Sequence, residues 1–433
     1  MSLSTQPYKG TRDFYPEDKR LQDYMFGVMR NVVKSYGYEE YDAPIVEPLD
    51  LYRSKTSDEI VNEQVYSFTD RGGREVAIRP EMTPTISRMV AAKRQELSYP
   101  LRMFSIPNVW RYERPQRGRL REHWQLNVDL FGEAGVAADH EIIALADSIM
   151  KAFGAKPSMY EIRINSREFV NKLLEHMGMD DADKKLALRI MDKWENSPAA
   201  EEANHQHLLA CVEKSGYGED KRAAFTAKFK DYEEAIKAAV ASEEGQGIVK
   251  LVTLLKEQGI EVVPDPYLTR GFDYYTGIIF EVFDTDEENN RSMFGGGRYD
   301  GLVGLFGVEP VPTVGFGLGD VTLANFLETH RLAPTLKSDV DAVVVIIGDA
   351  YKDAQKLISS LREMGLNIAV DATDRKLPTK LKHADKHGTD YVIFVGEEDL
   401  KNEQYGLKNL KTGEEGKLSA ERLVTTIKDY RKQ

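Results

Sequence analysis

The sequence predicts an α+β fold with a helical insertion and a C-terminal α/β unit, on three observations. Residues 1–170 interleave helix-period and strand-period apolar patterns. From about 170 to 255 the chain turns to Lys, Glu and Ala at helical spacing, as in "DKKLALRIMDKW" and "DKRAAFTAKFKDYEEAIKAAVA", with no strand-like run. After "LAPTLKSD" the pattern starts afresh as strand–helix–strand, the mark of a compact unit with a mostly parallel sheet. The expected boundaries are 1–170 with 255–332 for the first unit, 171–254 for the insertion and 338–433 for the last. At 433 residues, more than one domain is expected.

Taken in order, "EDKRLQDYMFGVMRNVVKSYG" reads as an amphipathic helix closed by Gly37. "LRMFSIPNVWRYE" and "HWQLNVDLFG" read as strands. Strands return in "YLTRGFDYYTGIIFEVFDT" and, after a turn at "DEENNRS", in "FGGGRYDGLVGLF" and "VPTVGFGLGDVTLANFLETH". In the last unit "VDAVVVIIGD", "LNIAVDAT" and "DYVIFVGEED" alternate with the helical "YKDAQKLISSLREMG" and "KLPTKLKHADKHG".

Composition narrows the function classes. The chain has 58 Lys+Arg against 71 Asp+Glu, net charge -13, which argues against non-specific coating of nucleic acid while leaving room for local basic patches. The first residues lack a basic segment followed by an apolar one, so no signal peptide is expected, and runs such as "AVVVII" are too short to cross a bilayer. One cysteine, Cys211, cannot form an internal disulfide and fits a reducing cytoplasm. "NHQH" at 204–207 has no matching ligand spacing and is expected to be solvated rather than metal-binding. "GGG" at 295–297 lacks the Lys-Ser/Thr of a phosphate loop, and a close backbone approach to a ligand is expected there.

Against this acidic background, residues 111–121 of "WRYERPQRGRLREHWQLNVDLFG" hold five arginines. The stretch reads as a hairpin, with a loop over roughly 114–121 and a strand returning from His123. Alternation puts Trp124, Leu126, Val128 and Leu130 on one face, to be buried against a helix, and Gln125, Asn127 and Asp129 on the other. An arginine loop backed by a polar strand face suits a polyanion such as ATP, or a nucleic-acid end.

These residues resemble a known family. "WRYE…RGRLREHWQ" resembles motif 2 of class II aminoacyl-tRNA synthetases, and "KGTRDFYP", "YDAPIVEP" (motif 1), "IRPEMTP", "LTRGFDYYTG" and "FGGGRYDGLV" narrow the resemblance to histidyl-tRNA synthetases. It covers essentially the whole chain. It implies an antiparallel sheet flanked by helices, a helical insert and a C-terminal α/β anticodon-binding domain.

The activity implied is activation of L-histidine by ATP, as its Mg²⁺ complex, followed by transfer to the 3′ end of tRNA(His). The resemblance places Arg111 on the α-phosphate and Arg270 between that phosphate and the histidine carboxylate, as the catalytic pair. Glu113 would meet adenine or ribose, and Arg119 the γ-phosphate. Arg114, Gln116 and Arg117 are left for the tRNA acceptor end. Histidine would be held by Asp129 on one ring nitrogen, Tyr274 or Tyr275 on the other, Tyr299 lining the pocket, and Glu81, Thr83 and Gln125 on the ammonium. No resident metal is implied. A cytoplasmic homodimer built across motif 1, with Pro44, is implied.

Three positions depart from the family pattern. Motif 3 should read like "GxGxGxER", and here "GFGLGDVTL" puts Thr322 at the arginine. His123 stands where an aromatic ring usually stacks on adenine. Asp129 is one methylene shorter than the common glutamate. Either the nucleotide site is repacked, or ATP binding is impaired. The second case corresponds to a non-catalytic histidine sensor, such as the regulatory subunit of ATP phosphoribosyltransferase. Against it stand Arg111, Arg119, Arg270 and the C-terminal unit, with its basic run at 374–388 as a tRNA contact.

Overall fold

The computed structural model describes residues 3–53, 64–191, 194, 200–229, 232–269, 275–289 and 291–431. They divide into two compact units, 1–333 and 334–433. The first long helix, Pro16–Ser35, forms as its sequence dictates. Met25, Phe26, Met29 and Val33 are buried along one face, Pro16 pre-sets the first turn, and Glu17 and Asp18 lie at the positive end of the helix dipole. Gly37, at φ +82°, follows it in a conformation that costs an L-residue about 1–2 kcal/mol.

The first unit is built on one sheet. Its path, by residue, runs Glu39–Glu40, Leu101–Ser105, Glu122–Phe131, Thr313–Gly319, Ser292–Arg298, Ile278–Asp284, Tyr160–Ser166, Val262–Pro264, with Asn108–Trp110 also on Glu122–Phe131. The central pairings are antiparallel, and the pairings of the two end strands are parallel. Leu126, Val128 and Leu130 bury the expected apolar face, in one core with Met25, Met29, Ile142 and Ile149 of helices Pro16–Ser35 and Val136–Ala152. The same core takes in Leu173, Leu186, Leu208, Phe225 and Leu251 from the helical segment that begins at Arg167.

Two strand readings need correction. "LRMFSIPNVWRYE" is two strands, because Pro107 has no N–H to give and only its carbonyl pairs, accepting from Gln125 N at 3.0 Å. In "VPTVGFGLGDVTLANFLETH" the strand stops at Gly319 and helix Asp320–Thr329 follows. Leu323, Phe326 and Leu327 recur at helical spacing and are buried, a period of 3.6 masked by the alternation just before it.

In the C-terminal unit, the strand order is Ile368–Asp371, Ala342–Ile346, Tyr391–Val395, Tyr405–Asn409, Glu415–Leu418. The first two pairings are parallel and the last two antiparallel, so the sheet is mixed rather than mostly parallel. The final hairpin escapes a sequence reading because "YGLKN" and "EGKL" are short and polar. Val344 faces one apolar cluster and Val345 another, so the sheet is covered on both sides, which is why "AVVVI" is an unbroken apolar run.

Two glycines give opposite predictions for the first unit, which holds all three tryptophans and can be followed by their fluorescence. A Cβ on Gly27, within helix Pro16–Ser35, would touch nothing within 4 Å. Gly27→Ala should therefore stabilise by about 0.5–1 kcal/mol in denaturant titrations. A Cβ on Gly296 would lie 2.0 Å from the Gly315 carbonyl oxygen, so Gly296→Ala should cost about 3 kcal/mol or more, or block folding.

Candidate active site

The polar face of the central sheet is a floor without side chains. Directly opposed residues of antiparallel strands share a face. Asp129, Asn127 and Gln125 oppose Gly315, Gly317 and Gly319. Gly315 and Gly317 in turn oppose Gly297 and Gly295, and beyond these lie Ile279 and Glu281. Five glycines thus lie flat between a wall of Asp129, Asn127 and Gln125 and a wall that includes Glu281. The glycines are required by the wall residues: a Cβ on Gly315 would sit 2.6 Å from Asp129 Oδ1, and one on Gly317 would sit 2.3 Å from Gln125 Nε2. For Gly295 and Gly297 the nearest atoms are the carbonyl oxygens of Phe280 and Ile278, at 2.5 and 2.4 Å. Gly295 and Gly297 are thus packed tightly against the next strand.

Asp129 is the buried acid of this face. Tyr299, itself buried, donates its hydroxyl proton to Oδ1. Oδ2 is buried and has no hydrogen-bond partner among the described residues. Burial pushes the Asp129 carboxyl up to about 7, against the opposing pull of the Tyr299 hydroxyl. Arg298 fixes Tyr299 from the other side of the sheet, donating to Asp139 Oδ1 at 2.8 Å and to the carbonyls of Glu133 and Gly135. The Tyr275 ring lies 6.4 Å from that of Tyr299. Its hydroxyl is pushed up by burial, then by the negative charges of Glu81, Glu281 and Asp129. The Asp129 charge acts on Tyr41 as well, as the main cause of its raised pKa after burial. Sequence reasoning missed Tyr41, although it opens the "YDAPIVEP" segment.

Arg111 and Glu81 arrive on adjacent segments. Trp110 N donates to Arg79 O at 3.0 Å, and Arg111 Nε donates to Pro80 O at 2.9 Å. Arg79 is buried scaffold, its guanidinium donating to Asn108 O and Ala43 O. Glu81 is buried, and Thr83 opens helix Thr83–Ala92 two residues later. Gln125 Nε2 donates to Asn127 Oδ1 at 2.7 Å, which fixes the amide toward the floor.

The arginine loop folds over a cleft of about 290 Å³, lined by Arg117, Gly118, Arg119, Arg291, Met293 and Thr322 among others. Arg119 lies 3.8 Å from Glu113, a loose pair. Arg117 donates to Asn289 Oδ1 and Thr329 Oγ1, so it is engaged within the chain, whereas Arg114 and Gln116 are exposed. Arg121 departs from the expectation that the cluster meets ATP. It is buried, donates to Glu113 O and the Tyr8 hydroxyl, and lies 3.9 Å from the Tyr112 ring centre, so it builds the loop's base. Arg291, lining the cleft, was not singled out from the sequence.

His123 and Thr322 both flank Gly319: an ideal Cβ there would lie 3.6 Å from Thr322 Oγ1 and 4.0 Å from His123 Cδ2. Burial, then the charges of Arg111 and Arg12, push His123 down to about 3, so its ring is neutral near pH 7. Thr322 Oγ1 is turned to the backbone, within 2.8 Å of Met293 O. Arg270 and Tyr274 lie outside the described residues. Among the described residues no group of three or more His, Cys, Asp or Glu could hold a metal, and His205 of "NHQH" is exposed.

The Asp129 carboxyl makes stability depend on pH in an uncommon direction. Between about pH 4 and pH 7 the unfolded chain has released this proton and the folded chain keeps it, so its contribution becomes increasingly unfavourable as pH rises through that window. Asp129→Asn keeps an acceptor for Tyr299 and removes the titration. The variant should melt above the wild type at pH 8, with the gap closing toward pH 4. A gap that does not change with pH would contradict this assignment.

Comparison with known proteins gives the same reading for the chain as a whole. Residues 10–321 match the family model described as histidyl-tRNA synthetase, and residues 341–430 match that of an anticodon binding domain. A histidine–tRNA ligase of Leptospira biflexa is 42% identical over 99% of this chain and 98% of its own. One of Thermoplasma volcanium is 37% identical over 95% of this chain and 96% of its own. A crystal structure of a Nostoc histidyl-tRNA synthetase, 22% identical, shares the fold with a TM-score of 0.78 over 99% of this chain and 100% of that one. With its motifs, fold and full-length relatives in agreement, the chain belongs to the histidyl-tRNA synthetase family.

Proposed function

We propose that this protein is a histidine–tRNA ligase, activating L-histidine with ATP and transferring it to tRNA(His). The observation that carries the reading is the glycine floor ending at Asp129, whose unpartnered oxygen is a buried acceptor for an imidazole N–H. A pocket that pairs both ring nitrogens rejects analogues lacking them, because its own polar groups would stay unpaired. Asp129 takes one nitrogen, and a hydroxyl of Tyr274 or Tyr275 the other, with Tyr299 holding Asp129 in place. Glu81, Thr83 and Gln125 receive the ammonium group.

In the first step the histidine carboxylate attacks the α-phosphorus and pyrophosphate leaves. The nucleophile is ionised at neutral pH, so no general base is needed. The barrier is repulsion between anions, and fixed cations lower it. Arg111, braced on Pro80 O, meets the α-phosphate, and Arg270 joins it to the carboxylate. Arg119 takes the γ-phosphate, and Glu113 the adenine or ribose side. ATP enters as its Mg²⁺ complex, the ion being part of the substrate.

Arg114, Gln116 and Arg117 at the loop tip meet the tRNA acceptor end, Arg117 after leaving Asn289. The C-terminal unit reads the anticodon. In its basic run, Lys380 is buried, donating to Ile346 O and Asp371 O, so the contact falls to exposed Lys376, Lys382 and Lys386. Residues 171–254 form the helical insertion domain. A homodimer across motif 1 is supported by Ile45 and Val46, apolar side chains exposed by 43% and 40%, and a cytoplasmic location by the single cysteine. No described helix is long and apolar enough to cross a membrane. The histidine-sensor alternative is disfavoured by the anticodon-binding match at 341–430.

Histidine-dependent ATP–pyrophosphate exchange tests the reading. Exchange should occur with histidine alone among the amino acids. Arg111→Ala should lower kcat on the order of 100-fold, as loss of one fixed donor to a developing charge does. Histidine binding without exchange would favour the sensor.

A further inference from the structure

Thr322 leaves the nucleotide slot without the expected motif 3 arginine, and the fold places another arginine beside it. Arg12 belongs to the segment that runs along the base of the arginine loop. The Gly10 carbonyl accepts from Arg121 N at 2.8 Å and from Glu122 N at 3.3 Å. From there Arg12 Nη2 donates to Asp320 Oδ2 at 2.8 Å. Asp320 is fully buried at the start of helix Asp320–Thr329, and its Oδ1 accepts from Trp124 N at 2.9 Å. One carboxylate therefore ties Arg12 to the neighbour of His123 on one strand and to the helix turn that carries Thr322.

The ion pair does not use up the guanidinium. Arg12 Nε is buried without a hydrogen-bond partner among the described residues, and 28% of the side chain remains exposed. The Phe14 ring, 4.9 Å from the guanidinium carbon, packs against it. The charge of Arg12 also acts on His123, together with that of Arg111. Asp320 thus holds an incompletely satisfied arginine between the strand that carries His123 and the helix turn that carries Thr322.

We propose that Arg12 replaces the missing motif 3 arginine: held by Asp320, its guanidinium is the cation that meets ATP across the slot from His123. The inference rests on the ligase reading above. Asp320 is then a positioning residue, which accounts for a buried carboxylate two positions before Thr322.

The test is ATP–pyrophosphate exchange by the full chain with Arg12→Ala, alone and combined with Thr322→Arg, varying ATP and histidine separately. Arg12→Ala should raise the KM for ATP by roughly tenfold or more and leave the KM for histidine within about twofold. Histidine should still raise its melting temperature as in the wild type, since that binding needs no ATP. Thr322→Arg added to Arg12→Ala should bring the ATP KM most of the way back. An unchanged ATP KM in Arg12→Ala overturns the proposal. So does an equal rise in both KM values with loss of the histidine-induced thermal shift, which would make Arg12 a structural residue. An ATP KM left unrestored in the double variant also overturns it. Absence of exchange in the wild type would instead sink the ligase reading itself.

Discussion

The site depends on one steric constraint: across Gly295, Gly297, Gly315, Gly317 and Gly319, two adjacent central strands carry no side chain on one face. Gly315 and Gly317 leave the volume that Asp129 Oδ1 and Gln125 Nε2 occupy, and Gly295 and Gly297 lie tight against the backbone of the next strand. Because strand side chains alternate, the same strands still carry Phe294, Phe316 and Leu318 into the core on the other face. Removing side chains from one face costs conformational entropy in the unfolded chain. That cost is offset by the core beneath, which is continuous from Met25 to Leu327.

The constraint also explains the electrostatics. A flat, shielded floor keeps water from Asp129, and its carboxyl moves up because burial penalises the charged form. The group is poised near neutrality, where a ligand N–H can hold it as carboxylate. The cations stand apart on the arginine loop and at the N-terminal segment, away from the acid end of the sheet face. Arg298, Arg79 and Arg121 are spent on scaffold: each binds backbone carbonyls and holds a segment that delivers Tyr299, Glu81 or the loop.

How much of this was legible in the sequence follows from the range of each signal. Local period placed helix Pro16–Ser35 and strand Glu122–Phe131, and alternation alone separated Asp129 and Gln125 from Leu126 and Val128. The motif resemblance picked out Tyr299 and Arg111. What could not be read were partnerships across long separations. Asp320 pairs with Arg12 308 positions away, and Arg121 with Tyr8 113 positions away, so an arginine that serves as scaffold looks in sequence like one that serves a ligand. Tyr41 reaches the site through the parallel pairing of Glu39–Glu40 with Leu101–Ser105, which no local pattern announces. Helix Asp320–Thr329 was hidden because the alternating glycines before it carry the strand period up to its first turn.

The most direct measurement of the central claim is a crystal structure of the protein with L-histidine alone. The account predicts the amino acid lying on Gly295, Gly297, Gly315 and Gly317, its ring nitrogen within hydrogen-bond distance of Asp129 Oδ2 and its ammonium group near Gln125 and Glu81. Histidine bound elsewhere, or bound here with its ring away from Asp129, would contradict it.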